Sequence, residues 1–233
     1  MKEPKEIFAY IDEKCRAEQR IDLSGKKIIV TAGGTVEPID PVRFLTNRSS
    51  GKMGYALAEN AAAFGADVTL VHGPVRLADI PGFEMVETVT ADEMASEVLK
   101  RYEEADVVIM AAAVADYRPE KFYDEKVKKS DGDWNLRLVR NVDILKLLGE
   151  KKTKQKLVGF AAETENLLEN AQKKLTKKNV DLLVANDVSR KDIGFGSDEN
   201  EVFLLFRNGA KKKISKTSKE KIAQDVLSEL SSL

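Results

Sequence analysis

Two lysine clusters, Lys126-Lys128-Lys129 and Lys173-Lys174-Lys177-Lys178, stand in a chain whose formal net charge is −1. Local basic patches on a near-neutral protein suit a small anion better than a polyanion, although charge runs are usually solvated faces. A further anion candidate is Ser49-Ser50-Gly51-Lys52-Met53-Gly54. Either Ser49 or Ser50 caps a helix whose glycines allow close packing, or the helix start binds an anion through its N–H groups and dipole. Gly51-Lys52 is followed by Met rather than Ser or Thr, so this is not a Walker loop. Upstream, the apolar run Ile28-Ile29-Val30 ends at Thr31-Ala32-Gly33-Gly34-Thr35, where Gly33 and Gly34 let the backbone turn sharply and approach a ligand. The loop from there to Ser49 exceeds the about 2–6 residues of an ordinary α/β turn. Long loops at the carboxyl end of a strand usually bind something.

Other chemistries fit poorly. A nicotinamide-dependent reductase would need G-x-G-x-x-G after the first strand and an acidic residue at the end of the second, where His72-Gly73 stands instead. Tyr117 and Lys121 have the Tyr-x-x-x-Lys spacing, but Pro119 between them prevents a shared helix face. There is no G-x-S-x-G, and the single histidine lacks an evident orienting acid. One histidine and one cysteine, Cys15, exclude a structural zinc site and an internal disulfide. Cys15 shares a helix face with Phe8 and Ile11 and reads as a buried thiol. The near-zero charge argues against general affinity for nucleic acid or anionic membrane. No apolar run approaches membrane-spanning length and the start lacks a signal-peptide core, so the expected location is the cytoplasm.

The elements that must position these residues read as a doubly wound α/β domain. Residues 1–22 form an amphipathic helix and linker, and residues 23–233 a single nucleotide-binding domain. Strands are expected at 28–30, 67–71, 83–89, 106–113, 157–161 and 180–185, the fourth a fully apolar run typical of a parallel sheet covered on both faces. Helices are expected from Ser49 or Ser50 to about Gly65, and over 92–102, 143–151, 165–178 and 218–233. Val114–Asp133 reads as a mobile lid, Trp134–Val139 as a half-exposed strand, and 202–206 with 211–214 as a hairpin through Asn208-Gly209. The fold class is a mostly parallel, Rossmann-like sheet with a small antiparallel extension near the C-terminus. Ala112 to Tyr117, Gly159 to Thr164 and Ala185-Asn186-Asp187 then converge with the Gly33–Asn47 loop on one sheet edge. Their small residues would admit a planar ligand, although strand packing alone also favours alanine.

Several blocks in order resemble phosphopantothenate–cysteine ligase: Thr31-Ala-Gly-Gly-Thr35, Ile39-Asp-Pro-Val-Arg43, Asn47-Arg-Ser-Ser-Gly-Lys-Met-Gly54, Ala111-Ala-Ala-Val-Ala-Asp-Tyr117, Lys126-Val-Lys-Lys129, Gly159-Phe-Ala-Ala-Glu-Thr164 and Ala185-Asn-Asp-Val-Ser189. The resemblance covers about residues 24–230. It implies a ligase of coenzyme A biosynthesis that activates 4′-phosphopantothenate with CTP as an acyl-cytidylate. L-cysteine then gives the amide, with CMP and pyrophosphate released. In bacteria this activity usually follows a flavin-dependent decarboxylase half in one bifunctional protein. Residues 1–20 resemble the joint, so this chain reads as a ligase domain without flavin. The resemblance further implies a homodimer and Mg2+ arriving with CTP, with no protein side chain dedicated to the metal.

By the same pattern, Asn47 would hold the acyl-cytidylate by donating to a developing oxyanion, and Arg43 would contact carboxylate or phosphate. Gly33, Gly34, Ser49, Ser50, Gly51 and Ala113 would serve the acid substrate, with its phosphate at the 49–51 helix start. Met110, Ala111, Ala112 and Asp116 would line the cytidine site, closed by Val142, Asp143, Ile144, Leu145 and Phe160. Lys174 and Lys178 would meet the triphosphate. Lys126 would close over the reacting centre and serve nucleotide binding and amide formation. Val142 stands where the family pattern has Pro; that segment contributes mainly backbone contacts, so binding is expected to survive. The remaining alternatives are a nicotinamide-binding reductase and a non-catalytic nucleotide-binding module.

Overall fold

A computed structural model describes residues 21–129, 132–163, 165–187 and 196–230. The expected N-terminal helix and Cys15 lie outside these residues, as do Leu233 and much of the 186–200 loop. The chain forms β1 (Lys27–Ala32), β2 (Val36–Pro38), β3 (Phe44–Thr46), α1 (Lys52–Ala63), β4 (Asp67–His72), β5 (Glu84–Glu87), α2 (Ala91–Tyr102) and β6 (Val107–Met110). It continues through β7 (Tyr117–Pro119), β8 (Leu138–Arg140), α3 (Ile144–Lys151), β9 (Lys156–Glu163), α4 (Leu167–Lys177), β10 (Leu182–Asp187), β11 (Glu199–Phe206), β12 (Lys211–Ser218) and α5 (Lys219–Glu229).

The central sheet runs β12-β11-β10-β9-β6-β1-β4-β5. From β10 to β5 every pairing is parallel, and β11 and β12 add an antiparallel edge. Numbered by sequence, the parallel strands follow the 3-2-1-4-5-6 order of a doubly wound sheet, whose direction of winding reverses between β1 and β6. At that point a lone parallel bridge joins Gly34 to Ala113, and Ala113 N–H donates to Gly33 O at 2.7 Å.

Strand alternation builds two cores. Ile28, Val30, Leu70, Ile109, Val184 and Leu204 face α1 and α5. Ile29, Val71, Val108, Leu157, Leu183 and Leu205 face α2, α3 and α4. Both faces of the sheet are covered, which is why the central strands read as continuous apolar runs.

The structure corrects several boundaries. The expected strand at Trp134–Val139 is instead Leu138–Arg140, because its partner is Tyr117–Pro119 rather than the main sheet. The segment expected as a mobile lid therefore contains a strand, and it is tied down further along: Tyr123 N–H donates to Ile39 O at 2.9 Å and Val127 N–H to Asp40 Oδ2 at 3.2 Å. The long loop after β1 likewise folds on itself as the β2–β3 pair. Neither pair is long enough to show a period in sequence.

Candidate active site

The carboxyl ends of β1, β6, β9 and β10 open on a cavity of about 560 Å³ at the winding reversal. Glycine placement explains how so much backbone converges there. A Cβ on Gly54 would sit 2.5 Å from Ala32 Cβ, so α1 lies against β1 only because Gly54 has none. Gly33 adopts φ +79°, and a Cβ there would meet Val75 Cγ1 at 2.9 Å. On Gly34 it would meet Asn47 O at 2.9 Å. Gly33 and Gly34 do not line the cavity; their bare backbone is used to admit the chain's own neighbouring segments.

The α1 start differs from the sequence expectation. Neither serine caps it: Gly51, in the left-handed region at φ 78°, occupies the N-cap position, and no side chain accepts from the first turn. Ser49 Oγ reaches only the Gly51 N–H, at 3.4 Å. A Cβ at Gly51 would meet Val75 Cγ1 at 2.8 Å, so this left-handed entry demands glycine on two counts. The first-turn N–H groups of α1 end at the cavity, where Ser49, Ser50, Gly51, Lys52 and Met53 form one wall. Such a helix end is a ready anion site.

Asn47 lies on the same wall. Its Nδ2 donates to Ala113 O at 3.2 Å and Val114 O at 3.1 Å. Two carbonyls fix the amide's orientation, because only its NH2 side can donate to both. Both hydrogens are thus committed to the backbone after β6, and the remaining polar atom is Oδ1, an acceptor. The sequence expectation gave this amide a donor's task; in this conformation its geometry suits acceptance.

On the opposite wall stand Lys174 of α4 and Lys178 just past its end, each toward a carboxylate. Lys174 Nζ is 2.6 Å from Glu163 Oε1, and Lys178 Nζ is 2.9 Å from Asp143 Oδ2. Asp143 also caps α3, its Oδ1 accepting from Lys146 N–H at 3.1 Å. Met110, Ala111, Ala112, Ala113 and Asp116 form the floor, with Val142, Ile144, Leu145 and Phe160 beside them.

Arg43 and Lys126 are not brought into this lining. Arg43 Nε donates to Asp40 Oδ2 at 3.0 Å and its Nη2 to Val127 O at 2.9 Å, while the guanidinium lies 4.6 Å from the Trp134 ring centroid. The Asp40 side chain is fully buried, and the Arg43 hydrogen bonds hold its carboxyl well below the usual carboxylate range. Lys126 is exposed, next to the Val127 that Asp40 and Arg43 hold. Two cavity residues escaped the sequence reading altogether: Asn200 on β11 and Lys219 at the start of α5, only 7% and 6% exposed. A lysine opening an otherwise apolar helical period was the one available signal for Lys219. Among the described residues there is no cluster of three His, Cys, Asp or Glu side chains fit to cage a metal ion.

Residues 23–233 match the model of the DNA/pantothenate metabolism flavoprotein C-terminal domain. The chain belongs to that family. It is 47% identical over its whole length to the coenzyme A biosynthesis bifunctional protein CoaBC of Bacillus subtilis (strain 168), and spans 58% of that relative's length. A crystal structure of the C-terminal domain of a CoaBC protein superposes with a TM-score of 0.77 at 44% identity, covering 89% of this chain and 95% of that one. A Cab2 H337A mutant in complex with phosphopantothenate-cysteine shares the fold at 21% identity, with a TM-score of 0.70 and coverage of 97% and 96%. The superposition extends this family relationship to the fold as a whole.

Proposed function

We propose that this domain joins 4′-phosphopantothenate to L-cysteine through an acyl-cytidylate formed from CTP, a step of coenzyme A biosynthesis. The observation that carries the reading is the cavity's polarity: α1's uncapped amino end on one wall, Lys174 and Lys178 on the opposite wall, and the Asn47 amide beside the floor between them. Two anionic groups would be held apart with a reacting centre in the middle. The similarity to coenzyme A biosynthesis bifunctional proteins supports a role in that pathway.

A carboxylate is a poor electrophile until one of its oxygens becomes a leaving group. In the first step a substrate carboxylate oxygen attacks the α-phosphorus of CTP, and pyrophosphate departs. In the second, the cysteine amine attacks the acyl carbon, the bond to CMP breaks, and the ammonium proton is lost. Neither step needs a nucleophilic side chain. Positioning and charge neutralisation carry the catalysis.

Lys174 and Lys178 would exchange Glu163 and Asp143 for triphosphate oxygens. Met110, Ala111, Ala112 and Asp116 would take the cytidine, with Val142, Asp143, Ile144, Leu145 and Phe160 closing over it. Ser49, Ser50 and Gly51 would meet the acid substrate beside Ala113, and Asn47 Oδ1 would accept a hydrogen bond from the bound intermediate or the incoming ammonium. Mg2+ would arrive on CTP, held by phosphate oxygens and water. Lys126 would have to swing inward with its segment to reach the reacting atoms, and Arg43, which holds that segment, would govern the movement. Gly33 and Gly34 would act by fixing the floor.

The domain would work in the cytoplasm, fused in its parent protein to a flavin-dependent decarboxylase, without flavin in this half. Val42, Phe44, Tyr117 and Leu138, all large, apolar and exposed on the two small strand pairs, offer a face for a second copy. A homodimer through that face is expected. The deciding assay is a panel of CTP, ATP, GTP and UTP with 4′-phosphopantothenate, followed for pyrophosphate. CTP alone should give strong release, with the CMP and the amide appearing on addition of cysteine. Nucleotide binding without pyrophosphate would leave only a binding module.

A further inference from the structure

α4 ends in a clasp. Lys178 is its C-cap residue, and Asn179 follows in the left-handed region at φ 54°. Asn179 N–H donates to Thr176 O at 3.3 Å and Val180 N–H to Leu175 O at 3.1 Å, the paired return bonds of a Schellman motif. Glycine would adopt that conformation with less strain. The asparagine adds something glycine lacks, because both ends of its amide are engaged. Nδ2 donates to Gly149 O at 2.8 Å, and Oδ1 accepts from Arg207 Nη1 at 2.6 Å.

Gly149 lies in the last turn of α3, where carbonyls have no helical N–H ahead of them. The end of α4 thus closes the end of α3. The main chains come close there: a Cβ on Gly149 would stand 2.0 Å from Lys178 O. Lys152, just past α3, adds a second tie, its Nζ donating to Asn179 O at 3.2 Å and pairing with Asp181 Oδ2 at 2.7 Å.

Lys178 therefore starts beside Gly149 and ends beside Asp143, the residue that caps the opposite end of the same helix. Six residues separate those two points, about 9 Å of helix. The lysine stem runs along α3, and only 23% of its side chain is exposed, against 44% for Lys174. Where the ammonium stands depends on where its main chain is anchored to α3.

We propose that Asn179 is a positioning residue for the nucleotide: its amide fastens α4 to the last turn of α3 and so fixes the point from which Lys178 reaches the cavity. The assignment of Lys178 to the triphosphate rests on the ligase reading above.

The test compares the wild-type protein with Asn179→Gly, Asn179→Asp and Arg207→Ala, and repeats the Asn179 changes in a Lys178→Ala background. Asn179→Gly keeps the left-handed turn and loses the tie. Asn179→Asp keeps an acceptor for Arg207 but cannot donate to Gly149 O. Both should raise KM for CTP about three- to tenfold, the scale of one hydrogen bond, while kcat and KM for the acid substrate stay near wild type. In the Lys178→Ala protein neither should raise KM for CTP further. Arg207→Ala, which leaves the tie in place, should not change it. A rise of the same size without Lys178 or with Arg207→Ala overturns the proposal, as does an unchanged KM for CTP in the Asn179 variants. If Asn179→Gly fails to fold, Asn179→Asp carries the same comparison. A readout independent of turnover is acetylation of Lys178 by an amine-reactive reagent, followed by peptide mass spectrometry with Lys173 as reference. Asn179→Gly should quicken it severalfold, and an unchanged rate overturns the proposal. No pyrophosphate from the wild-type protein would instead sink the ligase reading, and the labelling would still decide whether Asn179 holds Lys178.

Discussion

Asn47 Nδ2 sits within hydrogen-bond distance of two successive carbonyls, Ala113 O and Val114 O, at 3.2 and 3.1 Å. The loop after β1 is thereby fastened to the loop after β6, across the winding reversal where the ligand would lie. One amide sets both the width of the cavity and the direction of its own oxygen.

Asn47→Asp should therefore loosen the tie between the two loops. A carboxylate cannot donate, and it would face two carbonyl oxygens. Asn47 is exposed and the new carboxylate can turn to water, so losing the two hydrogen bonds should lower stability by only about 1 kcal/mol. Urea unfolding would measure that. Pyrophosphate release and amide formation should fall together, and full activity in the variant would contradict the role given to Asn47.

The Lys178–Asp143 pair predicts the opposite balance. Its side chains are 23% and 45% exposed, and pairs of that kind contribute only about 0–1 kcal/mol. Lys178→Ala should barely move the thermal midpoint, yet raise KM for CTP by about tenfold while KM for the acid substrate stays put. A large loss of stability with unchanged CTP affinity would show the lysine to be structural.

Gly54 is a packing residue at the edge of the chemistry. Gly54→Ala would drive a methyl group to 2.5 Å from Ala32 Cβ and 2.7 Å from Thr31 O, so α1 must move off β1. A loss of about 1–3 kcal/mol is expected from overpacking, with weakened anion binding at the displaced helix start. Gly132→Ala, where nothing lies within 4 Å, is the control and should be neutral within about 0.5 kcal/mol.

Asp40 gives a pH dependence. The Arg43 guanidinium, followed by the N–H groups of Val42, Arg43 and Val127, holds its carboxyl well below the ordinary carboxylate value. A depressed value means the ionised form is favoured in the fold. The stability it lends is fully present above the unfolded value near 3.8 and is lost as pH falls toward the folded one. Asp40→Asn should destabilise the protein at pH 7, and the gap to wild type should begin to narrow only as pH falls below about 4, shrinking further toward the folded value. Trp134, the chain's one tryptophan, lies under Arg43, so its fluorescence should report release of the 120–129 segment. A gap that persists at low pH would argue against the assignment.

Lys126→Gln tests the swinging segment. Lys126 stands outside the cavity in this conformation, so the variant should keep most pyrophosphate release and lose amide formation. Equal loss of both steps would argue against a closing role.

Much of this was legible from sequence because burial leaves a plain pattern. The runs at Ile28–Val30 and Val107–Met110 are apolar on every residue since both sheet faces are covered, and Met110 to Ala113 then falls at the cavity by topology alone. What was misread turned on backbone rather than pattern. Ser49 and Ser50 have the composition of a cap, but Gly51 in the left-handed region takes that position. The 114–133 segment lacks a period, because three-residue strands show none, and its anchor is Asp40, far away in sequence. Asn47 lines the cavity as its place on the loop implied, but which carbonyls its Nδ2 meets depends on chain segments far away in sequence. Lys219 was missed because no local signal says that a helix beginning at residue 219 shares a cavity wall with one beginning at residue 52.

That shared wall has a consequence for how the protein is made. Asn60 and Gln224 meet across 164 residues of chain. At roughly 5–20 residues per second, a ribosome adds those residues over about ten to thirty seconds. Until α5 is delivered, α1 is covered only by β1 and β4, and the part of the cavity wall that Lys219 lines is missing. A nascent chain can lay down β1, α1 and β4 early, but the cavity wall is incomplete until α5 arrives.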